Sequence, residues 1–302
     1  MTQIPIPAKQ PVLVWLRRNV AKLVVAPTFA LMIFFVYGFI AWTGYISLTK
    51  SKMLPTYSFE GFYQYIRLWK MTPWNVAMEN LLIFGGLFIV ISIVLGCLLA
   101  IALDQRVRAE GVLRTIYLYP MAISFIITGT AWKWILNPGL GIQNTVRSWG
   151  WESFTFDWLI NSEMAVYTLV IAAVWQSSGF VMALFLAALR GVDSEIIKAA
   201  YLDGASLSRI YLVIILPTLR PVFLSCFFIL THLAVKSFDL VVALTGGGPG
   251  YSTILPANFM YEMTFRRNQI GLGGASAIMM LATVMAIVIP YLYSELREKK
   301  HD

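Results

Sequence analysis

Leu81-Leu-Ile-Phe-Gly-Gly-Leu-Phe-Ile-Val-Ile-Ser-Ile-Val-Leu-Gly-Cys-Leu-Leu-Ala-Ile-Ala-Leu103 runs for twenty-three residues without a charged side chain. As a helix rising about 1.5 Å per residue it reaches roughly 35 Å, enough to cross a hydrocarbon layer of ~30 Å. Five further apolar stretches lie around it, at residues 23–48, 115–136, 165–189, 218–245 and 274–293. The last contains Pro290, which membrane helices tolerate better than soluble ones. Six spans also explain the composition. The 302 residues are 59% hydrophobic and 13% charged, whereas a soluble domain carries about 25% charged residues. There is too little polar surface to clothe a globule in water. The sequence predicts an all-α, polytopic membrane protein with six transmembrane helices. A segment 1–22 precedes the membrane domain 23–294, and a tail 295–302 follows it. Residues 1–21 do not read as a secretory signal, because the first apolar run ends at Arg17-Arg18 and no small-residue cleavage pattern follows.

Six crossings put both termini on one side, and the cations choose the side. With the termini lie Lys9, Arg17, Arg18 and Lys22, then Arg106, Arg108 and Arg114, then Arg190, Lys198, Arg209 and Arg220, and finally Arg297, Lys299 and Lys300, fourteen in all. The other face has seven: Lys50, Lys52, Arg67, Lys70, Arg147, Arg266 and Arg267. Lysine and arginine favour the cytoplasm, so both termini are expected inside. The same bias accounts for the net charge of +8 without any nucleic acid. Residues 50–78 and 147–160, on the outward side, are dense in aromatic rings, including Trp69, Trp74, Trp149, Trp151 and Trp158. They fit an interfacial aromatic belt or a docking surface for an external partner.

Several chemistries are excluded. Cys97 and Cys226 both sit in apolar runs, where a small buried thiol is ordinary and a disulfide is not expected. His232 and His301, with so few thiols, do not make a metal cluster. The chain lacks a G-x-x-x-x-G-K-[ST] loop, so it is not expected to bind ATP in that manner.

The connection between the fourth and fifth spans reads Gly191-Val-Asp-Ser-Glu-Ile-Ile-Lys-Ala-Ala-Tyr-Leu-Asp-Gly-Ala-Ser-Leu-Ser-Arg-Ile-Tyr-Leu-Val-Ile-Ile-Leu-Pro217. Asp193 or Ser194 can cap a short helix, and Glu195 in its first turn suits the helix dipole. That helix is expected to run to about Leu202 and stop at Gly204, which accepts a left-handed backbone. Ser206 can then cap a second helix running toward Pro217. Ala199, Ala200 and Gly204 give this elbow a face with little side-chain bulk, suited to seat in another protein's groove.

This spacing resembles the EAA loop of ABC-importer permeases. Ala199-Ala200, three residues, Gly204, nine residues, Ile214, one residue and Leu216-Pro217 match the family pattern. One departure is plain: Lys198 stands at the family's glutamate position, with Glu195 one turn earlier. Two further stretches resemble the carbohydrate-importing maltose-permease branch. They are Ala131-Trp-Lys-Trp-Ile-Leu-Asn-Pro138 with Gly141-Ile-Gln-Asn144, and Phe238-Asp-Leu-Val-Val-Ala-Leu-Thr-Gly-Gly-Gly-Pro249. At finer grain, residues 117–121, 236–239 and 290–297 resemble bacterial glucose- and mannose-uptake permeases.

The resemblance implies the type I ABC importer permease fold, in a bacterial inner membrane, with this chain as a transport subunit and not an enzyme. It implies a second permease, two ATP-binding subunits that carry ATP and magnesium, and a periplasmic or lipid-anchored sugar-binding protein. The 191–217 loop would couple to the ATPase through Glu195, Lys198, Ala199, Ala200, Asp203 and Gly204. Glucose or a similar monosaccharide is the implied cargo, with an oligosaccharide, polyol or glycerol-phosphate as alternatives.

A sugar pathway needs hydrogen-bonding groups and rings at membrane depth, where an ionised side chain costs about 2.5–3.5 kcal/mol on insertion scales. His232, Lys236 and Asp239 are spaced four and three apart, which places them on one face of a continuous helix. They fit sugar contacts or a structural ion pair between the two permeases. The fourth span offers Trp175, Gln176, Ser177, Ser178, Gly179 and Met182. The resemblance carries a sugar-contacting role to Trp175, Ser178, Gly179 and Met182, while small polar residues serve equally well in helix packing. Trp132, Lys133 and Trp134 are expected at the outer membrane boundary. An ion-coupled sugar carrier is the rival from another class, but the chain shows no convincing internal repeat and that reading gives the elbow no task. A membrane-embedded enzyme finds no acid–base or nucleophile constellation outside Lys236 and Asp239.

Overall fold

The computed structural model describes residues 11–54, 56–105 and 108–298. Residues 1–10 and 299–302 of the two terminal segments lie outside the described residues, as do Lys9, Arg106, Lys299 and Lys300 of the charge count. Helix α1 (Pro11–Ser47) contains the first span and continues on its N-terminal side. A short α2 (Tyr63–Trp69) follows, then α3 (Thr72–Asp104), whose length of roughly 50 Å outreaches the hydrocarbon core. Its extra turns, before residue 81, alternate buried Trp74, Ala77 and Asn80 with exposed Asn75 and Glu79. Sequence hydropathy therefore underestimates this helix. Pro73 sits at its start, where a missing N–H costs nothing.

The third crossing is not the single helix expected over 115–136. It comprises α4 (Glu110–Leu118), a 3₁₀ turn (Tyr119–Ala122) and α5 (Phe125–Ile135), with a 101° bend between the two halves. Pro120 cannot donate to the preceding turn, and Ser124 starts the next helix by accepting from the Ile127 N–H at 3.4 Å. A short α6 (Ile142–Ser148) leads to α7 (Ala165–Leu189), the fourth span, with the bounds the sequence predicts.

The elbow comprises α8 (Ser194–Leu202), then α9 (Leu207–Arg209), a π-helical stretch Ile210–Ile215 and α10 (Leu216–Thr218). The chain bends by 64° into α11 (Arg220–Val235). The fifth span, expected to continue to residue 245, stops at Val235. A separate α12 (Asp239–Leu244) follows, and α13 (Pro256–Tyr261) continues into a π-helical turn, Glu262–Arg266. Helix α14 (Ile270–Glu298) is the sixth span and retains Pro290. Among the described residues four helices are long and apolar enough to cross a membrane, and six spans result if each of the two bent pairs counts as one. No strand occurs among the described residues beyond a single bridge between Thr49 and Phe59.

The core forms where α3 and α7 approach closely. A Cβ on Gly96 would stand 2.5 Å from Val181 Cγ1, so only glycine permits this spacing. Phe84 and Phe88 stack at 5.6 Å, and with Leu169, Phe185, Leu230, Leu240 and Leu244 they are almost wholly buried. Helix α1 is peripheral, and no residue of its membrane-spanning window is buried. It rests on α14 beside Gly274, where a Cβ would already lie 3.4 Å from the Thr43 carbonyl oxygen. At the end of the bundle opposite the elbow, Asn80 donates to the carbonyls of Tyr251 and Ile254 at 3.2 and 3.0 Å, tying α3 to the loop after α12.

Candidate functional site: a coupling elbow and a translocation pathway

The elbow is locally determined. Asp193 caps α8 through its carboxylate, which accepts from the Glu195 N–H at 2.9 Å. At the other end Gly204 has φ +77°, Ala205 N–H donates to the Ala200 carbonyl and Gly204 N–H to the Tyr201 carbonyl, both at 3.0 Å. This paired bond set is the Schellman motif, and it satisfies carbonyls the helix end would leave open. Ser206 has the extended backbone of an N-cap, and its carbonyl accepts from Ile210 N–H at 3.0 Å. Its hydroxyl makes no capping bond, so that part of the expectation fails.

The elbow is also bolted to the membrane core. Tyr211 donates to Asp104 at 2.7 Å and accepts from Gln105 at 2.9 Å, joining the π-helical stretch to the end of α3. Arg190, at the end of α7, pairs with Glu110 of α4 at 2.6 Å. Ile210 and Ile215 belong to the same buried cluster as the spans. The small face expected from Ala199, Ala200 and Gly204 does not act as one surface. Ala200 is buried in the core with Ile197 beside it, whereas Ala199, Asp203 and Gly204 are exposed. Lys198 pairs with Glu195 at 2.8 Å in open solvent.

What the elbow shows outward is apolar and large. Leu202 is 89% exposed, with Ile196, Tyr201 and Leu207 about half exposed nearby in sequence. Sequence reasoning missed these residues. The available signal was an aliphatic residue one position before the terminating aspartate and glycine, in a helix whose inward face was already filled. A cluster of large exposed apolar side chains marks an interaction surface.

Two cavities are lined by residues of the spans expected from the sequence. The larger, about 570 Å³, lies between α3, the third crossing and α7, and its lining includes Leu95, Tyr117, Trp132, Trp175 and Ser178. Trp132 meets Trp175 edge to face at 6.0 Å. Trp132 therefore belongs to the cavity wall instead of the outer boundary where the sequence placed it, while Trp134 is 72% exposed. Of the fourth-span candidates only Trp175 and Ser178 line this space. Gln176 is buried and donates to the Ile123 carbonyl at 2.6 Å, satisfying a backbone group freed by the bend in the third crossing. Gly179 packs directly on the Tyr117 carbonyl, where a Cβ would collide. Ser177 and Met182 are buried.

The second cavity, about 150 Å³, is lined by Phe125, Leu233, Lys236, Ser237, Phe238, Asp239 and Leu240. Lys236 ends α11 and Asp239 begins α12, so the trio with His232 does not occupy one continuous helical face. All three are exposed within the single chain, and no Lys236–Asp239 ion pair occurs among the described residues. Helix α12 turns away to dock on α5 at Gly129, where a Cβ would stand 2.7 Å from that of Ala243. No group of three or more potential metal ligands occurs among the described residues.

Comparison with known proteins shows which proteins share this bundle of apolar helices. A chain of the bacterial ABC transporter involved in import of the acidic polysaccharide alginate superposes with TM-score 0.82 at 18% identity, over 95% of this chain and 99% of that one. The alginate transporter in complex with its alginate pentasaccharide-bound periplasmic protein gives TM-score 0.79 at 19% identity, over 91% and 93%. Among curated proteins, "Probable ABC transporter permease protein PH1215" of Pyrococcus horikoshii is 37% identical over 88% of this chain and 92% of its own length. The xylose/arabinose import permease XacH of Haloferax volcanii is 34% identical over 89% and 86%. The trehalose/maltose permease MalF of Thermococcus litoralis is 29% identical over 89% and 91%. Residues 92–298 match the family model for binding-protein-dependent transport system inner membrane components, and the chain belongs to that family. It is a multi-pass membrane component of an ABC importer and a transport subunit instead of an enzyme.

Proposed function

We propose that this chain is the carbohydrate-conducting permease of an ATP-driven importer, with glucose or a similar monosaccharide as cargo, in a bacterial inner membrane. The elbow carries the reading: a capped helix presenting Leu202, held between Arg190, which pairs with Glu110 of α4, and Tyr211, which bonds Asp104 of α3, is built to receive force from a separate protein without slipping. Two ATP-binding subunits, which hold ATP and magnesium, grip it from the cytoplasm through Leu202 and the 195–204 surface. Their closure switches the pathway between inward- and outward-facing states. A second permease completes the pathway, and a binding protein delivers sugar from outside. Both termini are cytoplasmic, as the fourteen-to-seven bias of cations supports.

Trp175, Ser178 and Trp132 supply ring faces and a hydroxyl, and Lys236, Asp239 and His232 supply donors and acceptors suited to sugar hydroxyls. The likeness of residues 117–121, 236–239 and 290–297 to glucose and mannose permeases supports a monosaccharide. Relatives named for pentoses and for disaccharides mark the range to be tested. The test is purification of the whole complex and reconstitution in proteoliposomes. ATP-driven uptake is then measured for glucose, mannose, xylose, arabinose, maltose and trehalose with the cognate binding protein. Uptake confined to glucose or mannose meets the proposal. Preference for another sugar replaces the cargo, and transport by this chain without ATPase subunits overturns the mechanism.

A further inference from the structure

Phe238 stands in the wall between two cavities. On one side is the small space with Lys236 and Asp239; on the other is a wider one of about 510 Å³, to which Tyr251, Asn258, Tyr261, Glu262 and Arg266 contribute. The wider cavity draws most of its lining from residues 246–267, between the expected fifth and sixth spans. Tyr261 lies 4.8 Å from the Phe238 ring and is 39% exposed, and Tyr251 is 46% exposed. Asn258 is buried beneath them. Its amide nitrogen donates to the Phe238 carbonyl at 3.3 Å, and its side-chain oxygen has no partner. Gly246 and Gly247, both with positive φ, carry the rim without side chains, which leaves the mouth unobstructed.

We propose that this cavity is an outer holding station where the incoming sugar rests before it passes Phe238 to the Lys236–Asp239 cavity. This inference rests on the carbohydrate reading above. A sugar ring has one face of C–H groups and a rim of hydroxyls. The C–H face matches the electron-rich faces of Tyr251 and Tyr261. Hydroxyls can accept from the Arg266 guanidinium, and a small turn of the Asn258 side chain would present its buried, unmet oxygen to a hydroxyl donor. Ring faces with a few fixed polar groups are the usual lining of a small-molecule site. A phosphate fits less well. Arg266 and Arg267 both already face the Glu262 carboxylate, at 3.4 and 3.3 Å, and the free oxygen of Asn258 repels an anion.

The test uses the intact complex in proteoliposomes, with whichever of glucose, mannose, xylose, arabinose, maltose or trehalose the unaltered complex transports as the probe. Tyr251→Ala removes a ring while leaving in place the backbone carbonyl that accepts from Asn80, so the loop keeps its anchor. Uptake is expected to fall about tenfold, with Tyr251→Phe losing several-fold less and affinity for sugar-free binding protein unchanged. Unaltered uptake by Tyr251→Ala overturns the station and leaves the carbohydrate reading standing. A fall in uptake matched by an equal loss of binding-protein affinity also overturns it, because the ring would then serve docking. Failure of the unaltered complex to move any of these sugars overturns both.

Discussion

Replacing Leu202 by serine separates folding from docking. The leucine side chain is 89% exposed, so within this chain it has almost nothing to lose. Surface changes of this kind stay within about 0.5 kcal/mol of neutral for stability. Seated in a groove of an ATPase subunit, the same side chain would be buried, and full burial of a leucine contributes about 1.5–3 kcal/mol. At about 1.4 kcal/mol per factor of ten, the loss weakens the permease–ATPase contact roughly 10- to 150-fold. The measurement is a titration of purified ATPase subunit onto the permease pair in nanodiscs, run beside sugar-stimulated ATP hydrolysis. Leu140→Ser supplies the control, because Leu140 is equally bare at 84% exposure but lies in the connection between α5 and α6, remote in sequence from the elbow. It should leave ATPase affinity unchanged. A Leu202→Ser complex that binds its ATPase as tightly as the unaltered one, with normal coupled hydrolysis, would refute the docking of this elbow.

Three further outcomes follow from the same geometry. Gly204→Asp forces a side chain onto a residue at φ +77°, a cost of about 1 kcal/mol without any clash, and should leave the permease in the membrane while uncoupling or releasing the ATPase; normal sugar-stimulated hydrolysis would count against the elbow's role. Gly179→Val collides with the Tyr117 carbonyl and should lower stability by about 1–3 kcal/mol, read as a reduced unfolding midpoint in detergent. An unchanged midpoint with weakened sugar transport would instead return Gly179 to the pathway. Asp239→Ala should abolish uptake while part of the ATPase coupling survives, whereas unchanged transport affinity and rate would make the carboxylate structural.

How far the sequence speaks depends on how local the deciding interaction is. The spans at 81–103 and 165–189 are legible because a long charge-free run has few other solutions. The caps at Asp193 and Gly204 are legible because both the residue and its bonding partners lie within one turn. The bend in the third crossing was hidden: Pro120 and Ser124 are visible, but membrane helices often carry such residues unbroken. Gln176, distant in sequence, takes up the Ile123 carbonyl, and Gly179 makes room for Tyr117. The break at 236–238 was hidden for the same reason. Helix α12 leaves the axis of α11 because Gly129 on α5 offers a seat, and no spacing rule within residues 232–239 reports that. Trp132 was misplaced at a boundary because its partner, Trp175, sits on another helix.

These distant contacts also connect the elbow to the cavity between α3, the third crossing and α7. Arg190 at the base of the elbow pairs with Glu110 at the start of α4, and Tyr117, on the same nine-residue helix, rests on Gly179. Gly179 lies next in the chain to Ser178, which lines the cavity with Trp175. Helix α4 is too short to bend between its two contacts and ends at a 101° corner instead of continuing as a span. A displacement of the elbow that keeps the Arg190–Glu110 pair must therefore carry the Tyr117 backbone with it. That motion either slides Tyr117 across Gly179 or turns α7, and both change the shape of the cavity wall. A straight third span would spread such a motion along its whole length. The corner confines it to the turns that face Trp175.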